Sequence, residues 1–323
     1  MRRMSATAAH QLVYGPVPSR RLGRSLGVDL VPLNTCTYDC VYCQLGRTTS
    51  KTVRRGRWAH PDDVVAQVRD RLSSKPDVIA LAGSGEPTLH AGIGAVIDGI
   101  KAITDVPVAV ITNGSLFGRP AVRRGLAAAD IVLPSLDAPS EELFRRVNRP
   151  HESFHLADVV EGLVSFRAAY QGEIWLEVML LAGITGSASK ARRLAELAGR
   201  ITPDRIQLNT AVRPPAESFA APVDEATLEE LAALFTPRAE VIAELPASAG
   251  GGVAVEADVL ELLTRRPCTV ADIATGLAMH HGEALKAATA LVNEGAADLY
   301  THEGRSFYVA ATIAARHREG EKA

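Results

Sequence analysis

The chain has 323 residues, 47% of them hydrophobic and 22% charged, a composition that points to a folded globular protein with room for one large and one small domain. Its formal net charge of -2 excludes a global attraction to nucleic acid or to an anionic membrane surface. Four cysteines in all exclude a disulfide framework, and the clustering of three of them favours a metal or redox loop in a reducing compartment.

At the N-terminus, Met1–Leu12 carries two early arginines but no apolar core of a secretory signal. No apolar run approaches bilayer-crossing length, so a cytoplasmic protein with no membrane partner is expected. From about Val28 to Asn209, short β-rich runs alternate with longer amphipathic stretches. Strands are expected at Leu26–Val31, Asp77–Ala82, Val106–Ile111, Ile131–Ser135, Ile174–Leu181 and Arg205–Leu208. Helices are expected at Pro61–Leu72, Gly92–Ile103, Arg119–Ala128, Leu156–Ala169 and Ser187–Arg200. His60-Pro61-Asp62-Asp63 has the proline and first-turn acids of a helix start. The alternation predicts an α/β fold with parallel strands joined by right-handed crossovers. In such sheets chemistry gathers at the carboxyl ends of the strands.

After Asn209 the pattern breaks. Arg213-Pro214-Pro215 begins a loop, Glu225–Leu234 is expected to be helical, and Ser248-Ala249-Gly250-Gly251-Gly252 has the composition of a linker. Residues 248–323 then form a second unit. Helices are expected at Ala257–Thr264, Val270–Gly276 and Glu283–Asn293, followed by strands at Asp298–His302 and Ser306–Val309 around Glu303-Gly304-Arg305. Three helices and a two-stranded wing is the winged-helix order.

The run Cys36-Thr37-Tyr38-Asp39-Cys40-Val41-Tyr42-Cys43 separates its cysteines by three residues and then by two. Iron–sulfur clusters are held by thiolates, usually four, so three would leave one iron open to another ligand. Zinc is the competing reading, but a closed structural zinc site needs four ligands. Here Cys268 lies in the other domain and His60 is the nearest downstream histidine. Asn34, Thr35 and Asp39 make the loop polar, which disfavours a set of merely buried thiols.

This cysteine run, with Tyr42 before its last member and a strand before the loop, resembles the signature of the radical S-adenosylmethionine (SAM) superfamily. The resemblance implies a [4Fe–4S] cluster on Cys36, Cys40 and Cys43, with SAM chelating the open iron through its amino and carboxylate groups. It also implies reductive cleavage of SAM to methionine and a 5′-deoxyadenosyl radical that abstracts hydrogen from a substrate. The electron would come from a donor such as flavodoxin or ferredoxin. Gly83-Ser84-Gly85-Glu86-Pro87 looks like the family's GGEP-type segment, with Ser84 where glycine is commoner. Its backbone would face the SAM amino group, because glycine allows close approach. A plain β–α turn, with Glu86 stabilising the next helix start, is the alternative.

Asn113 in Thr112-Asn113-Gly114-Ser115, and Ser135 and Asp137 in Ser135-Leu136-Asp137, follow the third and fourth strands. In the resembling family polar groups here reach the ribose or the methionyl end of SAM, although turn residues would look the same. Glu177 sits inside an apolar fifth strand, where an ionisable group is costly unless paired or functional. Asn209 ends the sixth. The resemblance covers Tyr14 to Pro215, and it implies a partial (β/α)6 barrel of TIM type within residues 1–247. The run Tyr14-Gly15-Pro16-Val17-Pro18-Ser19-Arg20-Arg21-Leu22-Gly23-Arg24-Ser25-Leu26-Gly27 is similar to the radical SAM group related to wyosine-base (tRNA) synthases. That implies an RNA base or nucleotide as substrate. Those synthases are expected to carry extra cysteines for a second cluster, whereas only Cys268 remains here. A small metabolite or a protein side chain is the alternative substrate, and a zinc-bearing winged-helix regulator the non-enzymatic one.

Between Gly15 and Arg57 stand eight bases (Arg20, Arg21, Arg24, Arg47, Lys51, Arg54, Arg55, Arg57) and two acids, Asp29 and Asp39. Arginine forks suit phosphates and carboxylates, so this excess predicts a collar for an anionic substrate, RNA or a phosphorylated or carboxylated metabolite. A solvated surface that offsets the cluster's charge is the bland reading. From Ala257 to Ala310 there are seven acids against four bases, and the presumed recognition helix carries only Lys286. Phosphate backbones need clustered positive charge, so DNA is disfavoured and a docking or substrate-covering role is expected. His280 and His281 point apart on a helix, and Cys268 is expected to be a buried hydrophobe.

Overall fold

The computed structural model of the protein describes residues 11–242, 256–277 and 279–314. The expected linker at 248–252 and the boundary between 247 and 248 lie outside these residues. Eight strands form one sheet: β1 (Val13–Ser19), β2 (Gly23–Val28), β3 (Val78–Leu81), β4 (Val108–Thr112), β5 (Ile131–Pro134), β6 (Glu173–Leu180), β7 (Arg205–Thr210) and β8 (Glu240–Val241). They lie side by side in chain order. All neighbours are parallel except the β1–β2 hairpin. The α/β expectation therefore holds.

The crossovers are helical: α1 (Pro61–Arg71), α2 (Ile93–Lys101), α3 (Pro120–Gly125), α4 (Leu156–Ala169) and α5 (Ala188–Ile201). In α1, the His60 side chain accepts from the Asp62 N–H and proline opens the first turn. α5 buries Ala191, Leu194, Ala198 and Ile201, the three-and-four spacing of one helical face. α6 (Glu225–Ala232) starts on Asp224, whose carboxylate accepts from the Thr227 N–H.

Successive strand residues point to opposite faces, and the two faces differ. Leu26, Val28, Ile79, Leu81, Val108, Val110 and Val132 pack under the helices in the main core. On the other face Val78, Ala80, Ala109, Leu133 and Trp175 meet Leu22 in a small separate cluster. That plug fills the amino-terminal end of the inner face and leaves its carboxyl end open, where the loops gather.

β1 was not expected from the sequence. Its run contains Pro16 and Pro18, which cannot donate to a ladder, and such residues are tolerated only on an edge. β1 is that edge, with a register break between Tyr14 and Val17. β8, a two-residue strand on the opposite edge, was also missed, being too short to show a period.

The C-terminal unit follows the expected order: α7 (Glu256–Leu263), α8 (Val270–Gly276), α9 (His281–Asn293), then the antiparallel pair β9 (Ala297–His302) and β10 (Arg305–Ala310). Thr269 and Asp272 form a capping box at α8. The unit has its own core, with Val259, Leu263, Cys268, Ile273 and Leu291, and Cys268 is fully buried as expected. His280 caps α9 through the Gly282 N–H. No helix among the described residues is long and apolar enough to cross a membrane.

This unit sits on the large sheet's open end. Val17 of β1 packs against its core, and Leu45 of the cysteine loop packs with Phe307, Val309 and Ile313. Arg265 pairs with Asp29 just beyond β2, and its guanidinium lies 4.6 Å from the centre of the Tyr14 ring. Tyr14 in turn lies flat on Gly27, where a Cβ would fall 2.0 Å from the ring. Replacing Gly27 by alanine should therefore push Tyr14 out and cost about 1–3 kcal/mol, the usual range for overpacking. Denaturant unfolding reads this directly, and a midpoint equal to that of the unsubstituted protein would contradict the stacking.

Candidate active site

The cysteine loop follows β2 and is tied off by its own polar residues. Asn34 takes a positive φ of 57°, a conformation asparagine tolerates better than most residues. Its amide then donates to the carbonyls of Leu45 (3.3 Å) and Arg47 (2.8 Å). Asp39 accepts from the Thr48 N–H at 2.7 Å, and Thr48 donates back to the Tyr38 carbonyl at 2.7 Å. The Tyr38 ring stands edge-on to Phe144, 5.4 Å between centres. Glu217 bridges Arg47 (2.8 Å) and Arg149 (2.6 Å), and its N–H donates to the Val41 carbonyl.

Two amides point at the sulfurs. Asn113 Nδ2 lies 3.5 Å from Cys36 Sγ and 2.7 Å from Thr37 Oγ1. Asn148 Nδ2 lies 3.6 Å from Cys40 Sγ and 2.8 Å from Asp137 Oδ2. Such N–H···S contacts stabilise ligating thiolates and tune the bound iron. Burial pushes the Cys36 thiol up to about 12, with the Glu86 carboxylate adding to the effect. Burial likewise raises Cys40 and Cys43. Three thiolates can form here only against a compensating positive charge, and bound iron supplies one. Among the described residues, no three His, Cys, Asp or Glu side chains come close enough together to hold one metal ion. A zinc ion would draw its sulfurs to about 2.3 Å around a single centre, whereas each cysteine of a [4Fe–4S] cluster takes its own iron. The donor set fits the cluster.

The Gly83–Pro87 segment is stitched to this loop. The Asn34 N–H donates to the Ser84 carbonyl at 2.7 Å, and the Glu86 N–H donates to the Thr35 carbonyl at 3.1 Å. Gly85 makes the approach feasible, since a Cβ there would lie 1.9 Å from the Thr35 oxygen. Ser84 donates through its hydroxyl to Asp29, which also takes the Ser84 N–H at 3.2 Å.

A cavity of about 400 Å³ opens beside the three cysteines, within the range of small-molecule sites. Of the expected site residues, Tyr42, Gly83, Ser84, Gly85 and Glu177 line it with Cys36, Cys40 and Cys43. Asn209 lines it too. Glu177 is half-buried and paired: Arg21 forms an ion pair with it, and Asn209 Nδ2 donates to it at 3.3 Å.

Of the other expected SAM contacts, Glu86, Pro87, Asn113, Ser135 and Asp137 are not among the residues that line this cavity. Glu86 is almost fully buried and takes donors from the Thr88 N–H, Thr88 Oγ1, Thr112 Oγ1 and the Asn113 N–H. It caps the Pro87–Leu89 turn and braces the end of β4. Pro87 is the buried first residue of that turn. Asn113 serves the cysteine loop. Ser135 lies beside Glu177 in a parallel bridge. Asp137 is occupied by Tyr42 OH, Asn148 Nδ2 and the Met179 N–H, so it positions Tyr42 from behind.

Of the eight bases between Gly15 and Arg57, Arg20 and Arg21 line the cavity. Arg24 donates to the Ser74 carbonyl, Lys51 to the Arg149 carbonyl, and Arg55 to the carbonyls of Thr88 and His90. Sequence reasoning missed Asn148, and it missed Arg213, Arg265 and Arg266 in the cavity wall. The prolines after Arg213 and the Arg265-Arg266 pair were visible, but nothing local tied them to the cysteines.

Comparison with known proteins is consistent with this site. The sequence model of the Radical SAM superfamily matches residues 30–195. A UPF0026 protein of Methanocaldococcus jannaschii is 36% identical over 69% of this chain and 71% of its own length. A protein of Brachyspira hyodysenteriae named GTPase Obg is 37% identical over 81% of this chain, which spans only 40% of that protein. The dual-specificity RNA methyltransferase RlmN of Nitratidesulfovibrio vulgaris is 27% identical over 60% of this chain and 55% of its own. Among solved structures, a radical SAM methyltransferase from Sphaerobacter thermophilus shares the fold with a TM-score of 0.52. It is 18% identical over 67% of this chain and 65% of its own.

Gly85→Ala tests the stitch. A methyl group cannot fit against the Thr35 carbonyl, so the loop should be displaced. Anaerobic reconstitution should then return well under half the iron and sulfide held by the unsubstituted protein. Full cluster content in that variant would contradict the contact.

Proposed function

Because the chain belongs to the radical SAM superfamily, we propose that it is an enzyme of that superfamily that removes hydrogen from an anionic substrate, a nucleotide or an RNA base, in the cavity between the large sheet and the C-terminal unit. The observation that carries this reading is the cavity wall, where three cysteines and five arginines meet. When bound, the [4Fe–4S] cluster and SAM supply one-electron cleavage of SAM and hydrogen abstraction from the substrate. A reducing protein such as flavodoxin or ferredoxin would provide the electron.

The chain's own residues hold, orient and exclude. Cys36, Cys40 and Cys43 would hold the cluster, while Asn113 and Asn148 keep N–H groups on two of their sulfurs. The backbone of Gly83–Gly85 would face the amino-acid end of SAM. Tyr42 is fixed by Asp137 and presents its ring to the cavity. The C-terminal unit covers the open end, with Leu45 and Cys43 packed against its hairpin. Such cover keeps water and oxidants from reactive intermediates.

We read the eight-stranded sheet as the partial barrel of this superfamily and the C-terminal unit as winged-helix-like. Two substrate classes remain distinct. The likeness to RlmN and to the wyosine-related run favours an RNA base. The acidic C-terminal unit, seven acids against four bases from Ala257 to Ala310, favours a small anion instead.

Anaerobically reconstituted protein, given a reductant and SAM, should release 5′-deoxyadenosine, and Cys40→Ala should abolish the release. Adding total tRNA in one arm and a phosphometabolite extract in the other should stimulate release in one of them. If iron-loaded protein releases none in any arm, the enzyme reading fails.

A further inference from the structure

The cysteine loop continues into a strip of one charge sign. From Cys40 to Pro61 the chain carries five cations, Arg47, Lys51, Arg54, Arg55 and Arg57, and no acid. Ser50–Lys51 runs parallel to Thr35–Cys36, with Lys51 the ladder partner of Cys36 itself. The Thr52 N–H donates to the Cys36 carbonyl at 2.9 Å. Further on, the Gly56 N–H and carbonyl pair with Leu89 and Ala91, which pins the strip to the turn after β3. One cysteine of the site is thus a single hydrogen bond from a surface strand.

Some of these cations serve the fold. Arg47 pairs with Glu217, and Arg55 turns inward onto the carbonyls of Thr88 and His90. Lys51 is exposed and gives one hydrogen bond, to the Arg149 carbonyl at 3.2 Å, which leaves donors over on its ammonium. Arg54 and Arg57 are exposed, and among the described residues no hydrogen bond or ion pair engages either guanidinium. Arg119, also exposed, follows the Ser115–Gly118 turn and donates to the Val53 carbonyl at 2.9 Å. Burial, and then the Arg119 charge, hold the Arg55 guanidinium below its usual value, so these cations crowd together. Just before that turn, Asn113 Nδ2 lies 3.5 Å from Cys36 Sγ. Two segments therefore touch Cys36, and both carry cations outward. Trp58, 40% exposed, lies over Gly56, where a Cβ would fall 2.6 Å from its ring.

We propose that Lys51, Arg54, Arg57, Trp58 and Arg119 form the docking face for an acidic one-electron carrier protein, which reduces the cluster by way of Cys36. This rests on the radical SAM reading of the cysteine loop. The carrier gives up one electron, the cluster takes it, and no bond forms or breaks. With a formal net charge of -2, the chain as a whole does not attract an acidic protein. A local positive strip then decides where the carrier lands and which way it faces. An exposed tryptophan among charged side chains suits a protein interface, being apolar in body and polar at one edge. RNA fits the charge but not the position, because none of the five is among the residues that line the cavity. A carrier needs only nearness to a ligand of the cluster, and this strip has it.

Anaerobic stopped-flow mixing of the reconstituted full chain with fully reduced flavodoxin tests the face. Flavin absorbance follows the reaction, in which the anionic flavin hydroquinone loses one electron and no proton. At low ionic strength the double variant Arg54→Glu, Arg57→Glu should react about tenfold more slowly, within the range of electrostatic steering. In about 1 M salt, where the Debye length is about 3 Å, the difference should disappear. Iron content and the extent of reduction by dithionite should match the unsubstituted protein, since neither side chain holds the fold. Arg192→Glu, which reverses an exposed cation on α5, should leave the flavodoxin rate unchanged. Equal rates for the double variant at low salt, or reduction by dithionite with none by flavodoxin, would overturn the docking face. Excess total tRNA should not slow the reaction, and slowing would give the face to RNA instead. Release of 5′-deoxyadenosine with dithionite and SAM is measured on the same samples. Release alongside flavodoxin rates that ignore the substitutions sinks the docking face alone. Substitution-sensitive reduction without any release sinks the enzyme reading alone.

Discussion

The contact between Gly85 and the Thr35 carbonyl sets the position of everything around the cysteines. A loop of polar backbone has to be held at the end of a parallel sheet without leaving its N–H and carbonyl groups unpaired. The solution is backbone pairing to the next loop, through Asn34 to Ser84 and Glu86 to Thr35. Glu86 then extends the brace to the third loop. Its burial would ordinarily favour the neutral acid, and its hydrogen bonds to Thr112, Thr88 and the Asn113 N–H oppose that. Asn113, held in this way, can turn its amide onto Cys36 and Thr37. Sulfur geometry therefore depends on a chain of contacts that starts at one missing side chain.

The strands and crossovers were legible because each carries its own period. β3 buries all four of its residues, and α5 has a single apolar face. The cysteine spacing was legible for a similar reason, since its chemistry is local. What the sequence concealed depends on pairs far apart in the chain. Asn148 meets Cys40 across 108 positions, and Arg265 meets Asp29 across 236. Glu86, Asn113 and Asp137 were visible as polar residues at strand ends, yet that placement does not tell whether a carboxylate faces the cavity or the loop behind it. The two edge strands escaped notice because one is rich in proline and the other is two residues long.

The charge pattern shows the same division. Counting bases near the cysteines implied a collar around the site. In the fold Arg24, Arg47, Lys51 and Arg55 tie off carbonyls or a carboxylate instead. The cations of the cavity come instead from Arg20, Arg21 and three residues beyond position 210. An arginine that donates to backbone carbonyls, as Arg55 does, fixes loop geometry and has fewer donors left for a ligand.

Ser84 is where the chain departs from the glycine-rich pattern it otherwise resembles, and the structure gives that departure a partner. Its hydroxyl donates to Asp29, and Arg265 of the C-terminal unit meets both Asp29 and the Ser84 oxygen. Asp29 is a buried carboxylate beside the turn, and leaving it unpaired would be costly. The serine and the arginine satisfy it together, one from the sheet and one from the cover. A glycine at 84 would leave that carboxylate with fewer donors. The cover is thus anchored at the turn that would face SAM, and the same unit that shields the cavity also completes the hydrogen bonding of its floor.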